Sequence, residues 1–118
     1  MMKKLLLCSI SAMLTLTSLT TSAQDQQLTQ GKALFGKWCV ACHGAGPGHP
    51  GTQALDQRYQ GSMPGVLEQR TNLSPEFVAV FVRNGISVMP FFRKTEINDN
   101  ELAAIGAYLS SPKGTAGN

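Results

Sequence analysis

The sequence predicts an all-α domain of three to five short helices. Two observations carry that prediction. Apolar residues recur at three- and four-residue spacing along the chain. The two downstream stretches also open on capping residues and close on Gly or Pro. With 118 residues, 42% of them hydrophobic, the chain has room for one domain and a folded core. No repeat and no second domain is visible.

The N-terminal segment "MMKKLLLCSISAMLTLTSLTTSAQD" has its own pattern. Lys3 and Lys4 give a basic start, Leu5 to Leu19 an apolar stretch, and Thr21-Ser22-Ala23 small residues before Gln24. This is the three-part form of a secretory signal peptide. An uncleaved anchor is the rival, but a spanning helix needs about 20 mainly apolar residues, and this stretch is shorter and rich in hydroxyls. Leu7 is bulky where a lipoprotein site before Cys8 would have a small residue. The expected division is a signal peptide at 1–23 and one domain at 24–118. Cleavage after Ala23 leaves 95 residues and removes Lys3, Lys4 and Cys8, taking the formal charge from +3 to +1. No basic patch argues for nucleic acid, and nothing in the mature chain argues for a membrane.

The first helix is expected from about Gln30 to Ala41, "QGKALFGKWCVA", with Thr29 as its cap. Gly31, Phe35, Trp38 and Cys42 share one face. From Gly44 to Arg70 the chain is rich in Gly and Pro, with room for short helices at "TQALDQRY" and "PGVLEQR". The next helix opens at Ser74-Pro75-Glu76: Ser caps, Pro takes the first position, and Glu meets the positive end. "FVAVFVRN" follows and Gly85 ends it. Its Val and Phe content also suits a buried strand, and the start and stop signals decide for helix. In the last helix Asn98 and Glu101 are spaced as a capping box. Leu102, Ile105 and Leu109 make one stripe, and Pro112 stops it. Gly106 inside it is either a point of close helix approach or a tolerated cost of about 1 kcal/mol against Ala.

The chemistry lies in Cys39-Val40-Ala41-Cys42-His43. A thioredoxin-like site would follow a strand, and none precedes Trp38. A structural zinc site needs four ligands, and the mature chain has only two Cys and two His in all. A plain disulfide would leave His43 without a role. Covalent haem attachment is what Cys-x-x-Cys-His marks. Spacing of three lets one helical turn reach the two vinyl groups along one porphyrin edge, and the next residue, His43, then lies beneath the iron. The second axial position has three candidates, Met89, Met63 and His49. His49 follows His43 too closely to reach the opposite face of a rigid porphyrin. Met63 and Met89 both precede a proline. Met89 is favoured because its loop lies between two helices, and His/Met is a standard haem ligation. The bland reading of either methionine is core filler.

On these residues the chain resembles the class I cytochrome c family, from about Gly31 to Ser110. The attachment motif, the Met-bearing loop and the closing helix with "AYL" come in the family's order. Within the class, "FVRNGISVMPFFRKTEINDNELAAIGAYLS" is similar to the small cytochrome subunits of flavocytochrome phenol oxidisers, such as 4-cresol dehydrogenase (hydroxylating) and eugenol hydroxylase. The resemblance implies one covalent haem c, and crossed terminal helices meeting at Gly31/Phe35 and Leu102/Tyr108. It implies a proline after the motif whose carbonyl accepts the His43 Nδ1 proton, which would fix the tautomer. Pro47 and Pro50 both offer it. Pro50 is favoured, with Leu55 beyond it at a haem-packing position, and turn-shaping is the simple alternative for Pro47.

With His43 and Met89 both on iron no position is open for substrate, so the expected work is outer-sphere electron transfer in the periplasm. The resemblance implies a flavoprotein dehydrogenase subunit as donor and a further redox protein as acceptor. The exposed edge near Cys39 and Cys42, with Val40, Ala41, Phe91 and Phe92, is the expected docking face. A freely diffusing shuttle is the alternative, and a peroxidase-like haem protein applies if Met89 leaves iron open.

Overall fold

The computed structural model describes residues 22–112. Lys3, Lys4, Leu5 to Leu19 and Cys8 of the expected signal segment lie outside the described residues. Helix α1 occupies residues 22–38 and, after one turn residue, is followed by α2, Val40–His43. Helices α3 (Pro50–Tyr59), α4 (Pro75–Asn84) and α5 (Asp99–Ser110) come next, with a single 3-10 turn at Leu67–Gln69 between α3 and α4. Among the described residues the β structure is one isolated bridge, Ile86 to Met89. The all-α expectation holds, and both downstream helices fall where their caps place them. Ser74 Oγ accepts from the Phe77 amide at 3.2 Å. The Asn98/Glu101 capping box is made in both directions, at 3.0 and 2.8 Å. No described helix is long and apolar enough to cross a membrane.

The start of α1 is a correction. Thr29 does not cap it, because the helix already runs through residues 22–30. Thr29 Oγ1 instead donates back to the Asp25 carbonyl at 2.9 Å, the alternative use of a helical hydroxyl. The far end also differs from expectation, since the helix pauses at Cys39 rather than running through to Ala41. The Cys39 carbonyl accepts both the Cys42 amide at 3.1 Å and the His43 amide at 2.8 Å. That shared acceptor tightens the chain for one turn.

Phe35, Leu73, Val78, Val82, Ile97, Leu102, Ile105, Tyr108 and Leu109 form one buried core. Helix α1 meets α5 at Gly31: a Cβ there would run into the Ala104 carbonyl and lie 2.7 Å from Tyr108 Cβ. One turn on, Phe35 and Tyr108 rings pack 5.8 Å apart. The crossing of terminal helices is therefore present, with Ala104 rather than Leu102 opposite Gly31. Gly106 is a point of close approach, with Pro75 of α4 against its open face.

Candidate haem-attachment site

Two elements bring the motif and the Met loop to one core. Trp38, Cys39 and Val40 pack against it from the α1–α2 junction, and Met89 and Phe92 from the loop before α5. Trp38 and Phe92 touch edge-on at 5.9 Å and join the two sides. Met63 is not in this group. Its sulfur accepts from Asn72 Nδ2 at 3.3 Å and Arg70 Nη2 at 3.5 Å.

The motif turn is held from below by α3. Thr52, buried, donates its hydroxyl to the Gly44 carbonyl at 2.8 Å. The His49 ring lies on Gly44, with Nδ1 3.2 Å from the Ala41 carbonyl oxygen. Gly51 lies against the His43 ring: a Cβ there would be 2.7 Å from Cε1 and 2.9 Å from Nδ1. Only a glycine lets α3 come that close. His43 Nδ1 is buried without a hydrogen-bond partner.

That orphaned Nδ1 corrects the expectation for Pro50. Pro50 is exposed and is the first residue of α3. Pro47 is exposed as well. Leu55 is half-buried on the inner face of α3, between Thr52 and Tyr59, and stands outside the main core.

The Met loop is anchored by Gly85, the expected end of α4, and by Arg83, which sequence reasoning missed. Gly85 ends α4 with φ 68°, a conformation open to glycine, and the backbone of Met89 to Phe91 folds over it. The Phe92 amide donates to the Val82 carbonyl at 2.7 Å. Arg83 Nη1 donates to the carbonyls of Phe92 (3.0 Å) and Ile97 (2.9 Å), and Nη2 to Asp99 Oδ1 (2.9 Å). The only sequence signal for this was a cation in an otherwise apolar helix.

The electrostatics suit a haem-bearing turn better than a redox-active dithiol. Cys39 and Cys42 are unbridged. Burial, with Cys42 as a second cause, pushes the Cys39 thiol up to about 11, whereas reactive Cys-x-x-Cys sites hold a lowered thiol. Burial also lowers the His43 pKa, favouring the neutral imidazole that binds metal. Its Cε1–Nδ1 edge is enclosed by Gly51, which leaves Nε2 as the open nitrogen. Two thiols on one turn and a neutral imidazole with Nε2 free suit a c-type haem, and Met89 packs against the same core from the loop before α5.

Comparison with known proteins agrees with this geometry. The family described as "Cytochrome C oxidase, cbb3-type, subunit III" matches residues 26–109. The chain belongs to that cytochrome c family. As a member of that family it carries haem c. The chain is also 33% identical, over 91 residues, to the "4-cresol dehydrogenase [hydroxylating] cytochrome c subunit" of Pseudomonas putida. That match covers 74% of this chain and 64% of the relative. No solved structure matches.

Proposed function

We propose that this cytochrome is the haem subunit of a periplasmic flavin-dependent dehydrogenase acting on a phenol or related alcohol. Cys39 and Cys42 would hold the haem by thioethers, and His43 Nε2 and Met89 Sδ would bind its iron. When bound, haem c supplies one reversible electron, iron passing between ferric and ferrous. A two-electron flavin donor would have to pass its electrons to this subunit one at a time, and a second redox protein would take each of them on. The chain's own work is to hold both ligands and to exclude water from the iron. Thioether ligation favours the ferrous state. Gly51 and α3 fix the His43 ring, and Arg83 fixes the loop of Met89. Leu55 supplies apolar packing from α3. The signal at 1–23 exports the chain, and cleavage follows Ala23.

The supporting observation is the shared core contact of Cys39 and Met89 from separate elements. The donor surface is the Met loop rather than the motif turn. Val40 and Phe92 pack inward, while Val88 is 94% and Phe91 58% exposed, with Ile86 beside them at 56%. Apolar side chains so exposed and so close together mark an interaction face. The test is isolation of the native protein from its own cells. A stable subunit interface buries on the order of 1,000 Å² or more, so a larger flavoprotein should co-purify at ordinary ionic strength. Recovery as a monomer that exchanges electrons equally with many acceptors would assign it instead as a diffusing shuttle.

A further inference from the structure

His49 is no iron ligand in this reading, yet its side chain lies against the attachment turn. Helix α2 is a single turn capped by Gly44, so its last carbonyls lack partners within the helix. His49 Nδ1 lies 3.2 Å from one of them, the Ala41 oxygen. A carbonyl only accepts, so Nδ1 is the donor and the neutral ring carries its proton there. The same ring covers Gly44, where a Cβ would be 2.5 Å from His49 Cε1.

Two of the next three residues grip the same turn. Gly51 lies against the His43 ring and the Cys42 carbonyl, with no room for a Cβ at either. Thr52, buried, donates to the Gly44 carbonyl at 2.8 Å. Pro50 opens α3 between them with its φ fixed, so His49, Gly51 and Thr52 reach the turn from one stiff stretch. The usual way to orient a metal-bound imidazole is a hydrogen bond from its other nitrogen. His43 Nδ1 is buried and has none. Packing must therefore set the direction of the His43 ring, and Gly51 is the backbone on its edge. Gly51 keeps that place only while the first turn of α3 stays on the attachment turn. Thr52 holds one side of that contact and His49 the other.

We propose that His49 is the positioning residue for the His43 imidazole, acting through Ala41, Gly44 and Gly51. By clasping the turn it does what a hydrogen bond to the second nitrogen does at other metal-bound histidines. This rests on the reading of His43 as an iron ligand.

The test uses holoprotein with His49→Ala, His49→Asn and His49→Gln, each first weighed to establish that haem is attached. Asn places an amide N–H where Nδ1 stands, whereas Gln places it where Nε2 stands. In H49A the amides of His43 and Gly44 should exchange with solvent about fivefold faster, as for one neutral hydrogen bond lost. The readout specific to positioning is the pattern of haem methyl proton shifts in the ferric protein, which follows the direction of the axial ligands. H49A and H49Q should change the order of those shifts, and H49N should restore it. An H49A protein that melts earlier or exchanges faster but keeps the wild-type order would show His49 to be a packing residue only, and would overturn the proposal. Failure of Asn to restore the order would overturn it as well. Should H49A fail to accumulate, nuclear magnetic resonance of ¹⁵N-histidine wild-type holoprotein, ferrous and at pH 8, decides. His49 should carry its proton on Nδ1, and a proton on Nε2 refutes the clasp. Absence of haem from the wild-type chain would instead defeat the functional reading.

Discussion

Replacing Arg83 by Ala should loosen the Met89 loop and cost about 3 kcal/mol of stability. Nη1 donates to two backbone carbonyls, those of Phe92 and Ile97, and Ile97 is fully buried. Hydrogen bonds from charged donors contribute about 1.5–3 kcal/mol each. The Arg83 side chain is 22% exposed, so the lower value applies to both. The contact with Asp99 is on the surface and is left out. Against a total of about 5–15 kcal/mol the loss is large, and it should lower Tm by roughly 10–20 °C for a domain of this size. The more specific consequence is local. Phe92 would keep only its amide bond to Val82, so the loop should detach before the helices melt. The assay is urea unfolding of ferric holoprotein, followed by far-ultraviolet circular dichroism and by the sulfur-to-iron absorption band. Wild type should lose both signals together, whereas Arg83→Ala should lose the band at lower urea. Arg83→Lys, with one ammonium for three acceptors, should fall between them. A loss below about 1 kcal/mol with coincident transitions would refute the strap.

Met89→Ala should open the iron, lower the potential and admit carbon monoxide, while Met63→Ala should leave the sulfur-to-iron band in place; loss of the band in the Met63 variant alone reverses the assignment. Gly31→Ala should destabilise the fold by about 1–3 kcal/mol through overpacking against the Ala104 carbonyl, and a denaturation midpoint equal to wild type would contradict the crossing. Burial and the Glu68 carboxylate it donates to raise the Tyr108 phenol to about 12. A raised folded-state value means the contribution is complete below 10 and is lost as pH climbs toward 12. Tyr108→Phe should therefore flatten the decline of stability over that alkaline window, and a decline equal to wild type would dismiss the linkage.

The helices with chemical punctuation were legible in the sequence. Ser74-Pro75-Glu76 and Asn98/Glu101 satisfy orphan amides with groups visible in the letters, and the structure uses both. The attachment motif is equally local. The start of α1 was not legible, because a threonine serves as a cap or as an i−4 donor and the residues before it are polar with no apolar stripe. The partner of His43 Nδ1 was not legible, because a proline position does not give a carbonyl direction, and in the structure Nδ1 has no hydrogen-bond partner. Gly51 was invisible for a related reason: a glycine's value lies in what approaches it. Arg70 stands among polar residues in a loop and gives no sign of burial. Its environment is made by Tyr59 of α3 and by Met63 and Asn72 in the loops on either side of the 3-10 turn, which only the fold brings together.

The central claim is covalent attachment of one haem through Cys39 and Cys42, and mass measurement of the native protein after denaturation in acid and organic solvent tests it directly. The account predicts a mass one haem above that of the polypeptide alone, with each Cys→Ala variant keeping at most a single thioether. A mass equal to the bare chain, or haem that extracts into the solvent, would contradict it.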